Sequence, residues 1–321
     1  MSNTTRTQIP AEVNNYYDKT LLLRAVPRLL HTKFAQVRDI PRKGGTDTIK
    51  FRRYSNLSAA TSALSEGITP TGSQLSITDI TAQISQYGDY VTVTDVVDFS
   101  SPDAVLTEAA QILGDQAGDT LDQLCRNIVV AGTSVSYANG TERDDIAATH
   151  KITAALIKKA VRTLKKNKAR TITSMVNAST GISTEPVAPA YIGIVHPNTT
   201  YDLKGESTFI PVEKYARISD IMEGEVGKLD EVRFIESTNA AVFAGEGASG
   251  VDVYGTIIFG TDAYGITRIS GEAMKNIVKP LGSAGSADPL NQRQTSGWKA
   301  TFVAKILNND FITRIEHGVT A

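Results

Sequence analysis

The sequence predicts an α+β fold in which one long helix and many short strands follow no regular alternation. Three patterns carry this reading. Apolar and polar residues alternate from Thr46, with Ile49 and Phe51 opposite Thr48, Lys50 and Arg52. They alternate again from Ile77 to Val97, with Ile80, Ala82 and Ile84 on one face and Val91 and Val93 after a break at Gly88; both are strand signatures. Leu106, Ala109, Leu113, Ala117, Leu121, Leu124 and Ile128 recur at helical spacing, and beyond residue 190 the chain divides into short strand-like runs separated by turns.

Residues 1–45 are polar and basic, with Leu21–Leu23 and Leu29–Leu30 as small apolar clusters broken by Pro27 and Pro41. They read as an arm with one short helix. Between the two alternating runs lies Ser55 to Leu75, rich in Ser, Thr, Ala and Gly. A hairpin loop is ordinarily about 2–5 residues, so this one needs a reason. Ordering its backbone alone costs about 20 kcal/mol, and Leu57, Leu64, Ile68 and Leu75 bury too little area to offset that. The loop is therefore either mobile in the monomer or laid on a neighbouring molecule.

Ser101-Pro102-Asp103 opens the long helix with a serine cap, a proline in the first turn and an acid at the positive end of the dipole. The helix is expected to run to about Val130, roughly 40 Å. Gly114 and Gly118 inside it each cost about 1 kcal/mol relative to Ala, which points to a bend or a close backbone approach. Gly132 to Asp145, with Asn139-Gly140, ends the segment. A second helix covers about Ile152 to Lys168, with Ile152, Leu156, Ile157, Val161 and Leu164 on one face and Lys158, Lys159, Arg162, Lys165 and Lys166 on the other. Strands are expected at Tyr191–Val195, Val232–Glu236, Ala240–Ala244, Val251–Gly260, Thr301–Leu307 and Phe311–Glu316, and short helices after His196-Pro197 and Lys214.

Composition, at 41% hydrophobic and 21% charged, is that of an ordinary globular protein, and 321 residues suggest about two domains. The most apolar N-terminal stretch, Leu21 to Leu30, is cut by Arg24, Pro27 and Arg28, so it fits neither a signal-peptide core nor a membrane span. The protein is expected to act in cytoplasm, or in something assembled there. Cys125 is the single cysteine and excludes an intramolecular disulfide. With Leu121, Leu124 and Ile128 around it, it reads as a small core hydrophobe.

The net charge of −1 hides segregation: residues 1–54 sum to +7, 55–150 to −11, 151–170 to +8 and the remainder to −5. Such blocks give orientation and partner choice when one copy packs against another; they are equally what clustered solvated faces produce.

Enzyme signatures are absent or fail in context. Gly245-Glu246-Gly247-Ala248-Ser249-Gly250 has dinucleotide-binding glycine spacing, but a strand rather than a helix follows it, so it reads as a hairpin turn. His31, His150, His196 and His317 have no metal-ligand spacing, and His196 before Pro197 suits a loop cap. Asp115, Asp119 and Asp122 share one helix face and, without a calcium loop, read as a solvated or partner-facing stripe. The run Lys158 to Arg170 suits phosphate contact but carries no aromatic residue for base stacking. Arg24, Arg28, Lys33, Arg38, Arg42 and Lys43 in the arm suit DNA, an acidic neighbour or plain solvation. No cofactor, metal or membrane partner is expected.

The order of these parts resembles the Hong Kong 97-type capsid fold of tailed bacteriophages. Ala131-Gly132-Thr133-Ser134-Val135-Ser136-Tyr137-Ala138-Asn139-Gly140 is similar to the segment after the long "spine" helix in one branch of phage major capsid proteins. Gly224-Glu225-Val226-Gly227-Lys228-Leu229-Asp230-Glu231-Val232-Arg233-Phe234-Ile235-Glu236 is similar to a turn and strand of their axial domain. Ala287-Asp288-Pro289-Leu290-Asn291-Gln292 and Gly297-Trp298-Lys299-Ala300 extend the likeness, which spans about Thr46 to Glu316.

The resemblance implies an N-terminal arm (1–45), an extended β-hairpin loop (46–98), a peripheral domain built on the spine helix (99–147 and 266–321) and an axial domain (148–265). It implies subunits that form hexamers and pentamers of an icosahedral shell around double-stranded DNA, assembled in the host cytoplasm. Scaffolding, portal and decoration proteins are its implied partners, with non-specific contact to packaged DNA. Leu57, Leu64, Ile68, Asp115, Asp119 and Asp122 would then meet a neighbouring copy, and Arg24, Arg28, Arg38, Arg42 and Lys43 a neighbour or DNA. Some relatives crosslink through a lysine in the loop, but residues 51–150 contain none. Others carry a long N-terminal scaffolding segment, whereas the arm here begins almost at once, implying a separate scaffold or none. An encapsulin-like compartment, another virion protein such as a tail tube, and an unrecognised enzyme are the rival readings.

Overall fold

The computed structural model describes residues 29–40, 47–55, 57–64, 66–69, 71–100, 105–178, 182–215, 221–269, 274–285 and 288–320. In chain order the elements are β1 (Gln36–Ile40), β2 (Thr48–Tyr54), β3 (Ile77–Gln83), β4 (Ser85–Thr94), α1 (Asp95–Ser100), α2 (Val105–Val130), β5 (Val135–Tyr137) and α3 (Ala154–Lys166). There follow β6 (Ile172–Ala178), β7 (Ile182–Val195), α4 (Pro197–Gly205), β8 (Ile210–Pro211), β9 (Glu225–Leu229), β10 (Val232–Glu236), β11 (Ala241–Phe243) and β12 (Val253–Phe259). The last are β13 (Tyr264–Ile269), β14 (Met274–Lys279), β15 (Arg293–Ile306) and β16 (Ile312–His317).

The strands form a nine-stranded sheet ordered β5-β16-β12-β7-β10-β9-β8, with β11 on β12 and β6 on β7. A five-stranded sheet runs β1-β13-β15-β14 with β4 on β15, and β2-β3 form a separate ribbon. Successive residues of the nine-stranded sheet point to opposite sides. Ile192, Ile194, Ile235, Ile257 and Phe259 join Leu113, Ala117, Leu121, Cys125 and Val129 of α2 in one core. Tyr191, Val195, Val232, Phe234, Ile258 and Ile315 join Ile157, Ala160, Val161 and Leu164 of α3 in another. The two helices therefore cover opposite faces of one sheet. The first core also takes Trp298, Ala300, Phe302 and Ala304 of β15, so α2 braces both sheets at once.

The long helix runs unbroken across Gly114 and Gly118, both buried, which fits a close approach of its neighbours. Its expected cap, Ser101, lies outside the described residues. Alternation suggested a strand as far as Val97, but the strand stops at Thr94 and α1 begins at Asp95. The Asp95 carboxylate accepts the Val96 N–H at 2.8 Å, and the Asp95 N–H donates to the Gln292 carbonyl. The second of these bonds continues the β4–β15 register by one residue, and the first takes up the next N–H, so the ladder ends there despite the two valines.

The expected break at Gly88 is also displaced. It falls at Ile84, where the chain passes from the ribbon to the five-stranded sheet. Gly88 lies inside β4 because a side chain there has no room: a Cβ would stand 2.5 Å from the Trp298 carbonyl oxygen. Gly88→Ala is expected to lower stability by roughly 1–3 kcal/mol through that overpacking, read as a shift of the urea midpoint at constant slope.

Helix α3 starts two residues later than expected. The Thr153 hydroxyl caps it by accepting the Leu156 N–H, and Ile152, placed before the cap, packs in the same core as Ile157. That is the arrangement of a hydrophobic staple.

Near the end of β16, Glu316 is fully buried and accepts from Arg143 at 2.7 and 2.8 Å and from Arg314 at 2.7 Å. Arg143 also pairs with Glu246 and lies 3.6 Å over the Phe243 ring. The loop after β5, the β11–β12 turn and β16 are thus tied together.

His317, next in sequence, is wholly buried, with Nδ1–H donating to the Gly318 carbonyl at 2.8 Å and Nε2 2.9 Å from the Thr256 hydroxyl. Burial pushes its imidazole down to about 4 from the ordinary 6.5. Between those values the unfolded chain binds the proton and the folded chain does not, so stability falls as pH drops through that window. The loss at pH 4 is expected to be about 3 kcal/mol. Urea melts from pH 7 to 4 should show it, and His317→Gln should remove that part of the slope.

Candidate functional site

The segment the sequence singles out stands on a rigid root. The β2–β3 ladder pairs Thr48 with Gln83 through to Tyr54 with Ile77, and the Ser55 N–H donates to the Ser76 carbonyl at 3.0 Å. At the base, Phe51 and Ala82 are buried with Leu307, flanked by Ile49, Ile80 and Val303. Arg53 Nη1 donates to Asn308 Oδ1 at 2.9 Å. The side chains of one ribbon face thus fix it to β15.

Past that root the described loop residues are all exposed. Leu57 is 53% exposed, Leu64 77%, Ile68 68% and Leu75 61%. Four large apolar groups thus stand in solvent on one polar loop and form no core within the subunit.

The acidic stripe is only partly where the spacing placed it. Asp115 and Asp119 are half-buried, and Asp119 Oδ1 accepts from Asn239 Nδ2 at 3.3 Å. Asp122 contradicts its expectation: it is 0% exposed and cannot meet a neighbouring copy. The Leu29–Ala35 segment crosses the helix at that level. Asp122 Oδ1 accepts the His31 N–H at 2.7 Å and Oδ2 accepts His31 Nδ1–H at 2.8 Å. The Tyr264 hydroxyl closes the knot on the His31 carbonyl at 2.5 Å. Cys125, one turn on, is buried as expected, and burial with the Asp122 carboxylate nearby pushes its thiol well above the ordinary range, which keeps it inert.

Of the basic arm residues, Arg24, Arg28, Arg42 and Lys43 lie outside the described residues. Arg38 is exposed on β1, which pairs in parallel with β13. Lys33 is buried along its stem and pairs with Glu223 at 2.6 Å. Helix α3 keeps Lys158, Lys159, Arg162, Lys165 and Lys166 in solvent.

The remaining sequence candidates settle into structural roles. The His196 Nδ1 accepts the Asn198 N–H at 3.2 Å and caps α4, as its position before Pro197 suggested. Gly245–Gly250 is the turn of the β11–β12 hairpin. Among the described residues, no group of three His, Cys, Asp or Glu side chains could hold a metal ion, and no helix is long and apolar enough to cross a membrane.

A further exposed apolar set escaped sequence reasoning: Tyr90 and Val91 on β4, Val96 and Val97 on α1, and Ile112 on α2. Gln116 ties this region together, donating to Asp89 at 2.7 Å and accepting from the Trp298 indole at 3.1 Å. The signal available was the pair of valines following the last alternating residue, which a strand assignment concealed.

No curated protein matches the chain. Among solved structures it is similar to the capsid of Ralstonia phage GP4, at 13% identity over 90% of this chain and 88% of that one, with a TM-score of 0.70. The capsid of cyanophage P-SCSP1u gives 15% identity, 90% and 88% coverage and a TM-score of 0.63. The SrpI encapsulin of Synechococcus elongatus gives 8% identity, 94% and 89% coverage and a TM-score of 0.56. At such identities the likeness is one of fold, the Hong Kong 97-type. The sequence profile of the phage capsid protein family matches residues 77–315, from the start of β3 into β16 and so well over half of the chain. The chain therefore belongs to the phage capsid protein family, whose members are structural shell proteins of the virion and not enzymes.

Proposed function

We propose that this protein is the major subunit of an icosahedral head, forming hexamers and pentamers that enclose double-stranded DNA after assembly in the host cytoplasm. The observation that carries the proposal is the loop of Ser55 to Leu75, which sets Leu57, Leu64, Ile68 and Leu75 in solvent from a ribbon fixed to β15. A head-to-tail contact of this kind closes into a ring when its rotation permits. Each interface needs only about 1,600 Å², because many repeated contacts per subunit stabilise the shell.

The same reading divides the chain into an arm (1–45), an extended loop (46–98), a peripheral domain (99–147 and 266–321) and an axial domain (148–265), with two adjustments: the 265/266 boundary falls inside β13, which pairs with β15 and goes with the peripheral part, and β16 pairs with β12 and goes with the axial part. Asp115 and Asp119 face a neighbouring copy. Arg24, Arg28, Arg38, Arg42 and Lys43 meet that neighbour's acidic surface or the genome. Scaffolding, portal and decoration proteins complete the set of partners.

The test is assembly of the expressed chain, followed by sedimentation and negative-stain microscopy. Closed shells are expected. Open tubes would favour a tail protein, and closed shells purified from the source with enzymes instead of DNA inside would favour an encapsulin. A subunit that stays solitary when concentrated, with scaffold and portal supplied, would overturn the proposal.

A further inference from the structure

Helix α3 presents solvent with an unbalanced positive face. Its sequence contains no acid, and its exposed side chains are Ala155, Lys158, Lys159, Arg162, Lys165 and Lys166. Lys165 pairs with Glu231, while Lys158, Lys159, Arg162 and Lys166 make no ion pair among the described residues. Lys168 and Arg170, just past the helix, are exposed as well.

Two features say what kind of partner this face fits. Protein interfaces draw on aromatic residues and methionine at their centres and are poor in lysine, whereas this face is mostly lysine and has no large apolar group. The sheet also separates the two signs of charge. Alternate residues of β7, β10 and β12 pack on α3 and on α2, and α2, on the far side, carries Glu108, Asp115, Asp119 and the buried Asp122 against the single cation Arg126.

We infer that the outer face of α3, through Lys158, Lys159, Arg162 and Lys166, contacts the phosphates of packaged double-stranded DNA and lies on the inner side of the shell wall. The inference rests on the reading that the shell holds DNA. Phosphate contacts carry no sequence information, which suits a wall that meets whatever sequence is packed against it. The absence of an aromatic residue for base stacking agrees with duplex rather than single-stranded DNA.

The test uses the full chain, unassembled, and a labelled linear duplex of about 30 base pairs, with affinity followed by anisotropy between about 50 and 200 mM salt. Replacing Lys158, Lys159, Arg162 and Lys166 by Gln should reduce the slope of log affinity against log salt by about 3 to 4, near 0.9 per lost contact. A variant with Lys158→Arg, Lys159→Arg and Lys166→Arg should keep the parent slope. An unchanged slope in the Gln variant, or an equal loss in the Arg variant, would overturn the inference.

In closed shells, an amine reagent too bulky to cross the wall should spare Lys158, Lys159 and Lys166, and labelling them from outside would also overturn it. Failure to form shells at all would count against the head assignment alone, because the salt slope is read on the free subunit.

Discussion

Subunits carrying Leu64→Asp together with Ile68→Asp are expected to melt where the parent melts and to form no closed shells. Both side chains stand more than two-thirds exposed and lie beyond the ribbon's buried root, so the folded subunit loses nothing when they change. In a joint between copies each apolar anchor contributes about 1.5–3 kcal/mol on burial, and a buried unpaired carboxylate costs several kcal/mol more. Repeated at every contact of a ring, that penalty removes assembly altogether. Thermal melting and negative-stain microscopy of the same preparation would check it, and shells of normal size from the double variant would refute the role given to Ser55–Leu75.

The second large effect lies inside the subunit. Asp122→Ala removes both acceptors of the His31 knot and leaves the His31 N–H and Nδ1–H buried without a partner. Each buried donor left unsatisfied costs about 1–3 kcal/mol, which together lower the melting temperature on the order of 10 °C in a chain of this size. Glu108→Ala, on the exposed side of the same helix, should stay within about 0.5 kcal/mol. The knot also holds Leu29–Ala35 against α2, so limited proteolysis should cut the Asp122→Ala protein before β1 at protease levels that leave the parent intact.

Asp122 also shows where sequence reading stops. Seven residues place Asp115 and Asp122 in nearly the same direction around a helix, so periodicity assigns both to one stripe. What separates them is a segment about ninety residues earlier that crosses the helix at only one of the two levels, and no local pattern encodes that crossing. The strands divide in the same way. β10 was legible to the residue, Val232–Glu236, because its apolar run is bounded by turn signals.

The first half of β15 was not legible. Arg-Gln-Thr-Ser-Gly-Trp-Lys reads as polar and turn-like, yet it is extended because β4 and β14 hydrogen-bond to it from both sides. Tertiary pairing overrides propensity there. β13 and β14 were missed outright, and β7 proved far longer than Tyr191–Val195. The loop of Ser55–Leu75 was legible for the opposite reason: with so little apolar material, its lack of an internal core follows from composition.

One order of events follows from the position of β16. It lies between β12 and β5 and supplies Ile312 to the core on one side of the sheet and Ile315 to that on the other. A growing polypeptide cannot complete either core until residue 317 has left the ribosome, however early α2 and α3 coil. Fragments that terminate before that point lack β16, next to one edge of the sheet, and leave both cores open.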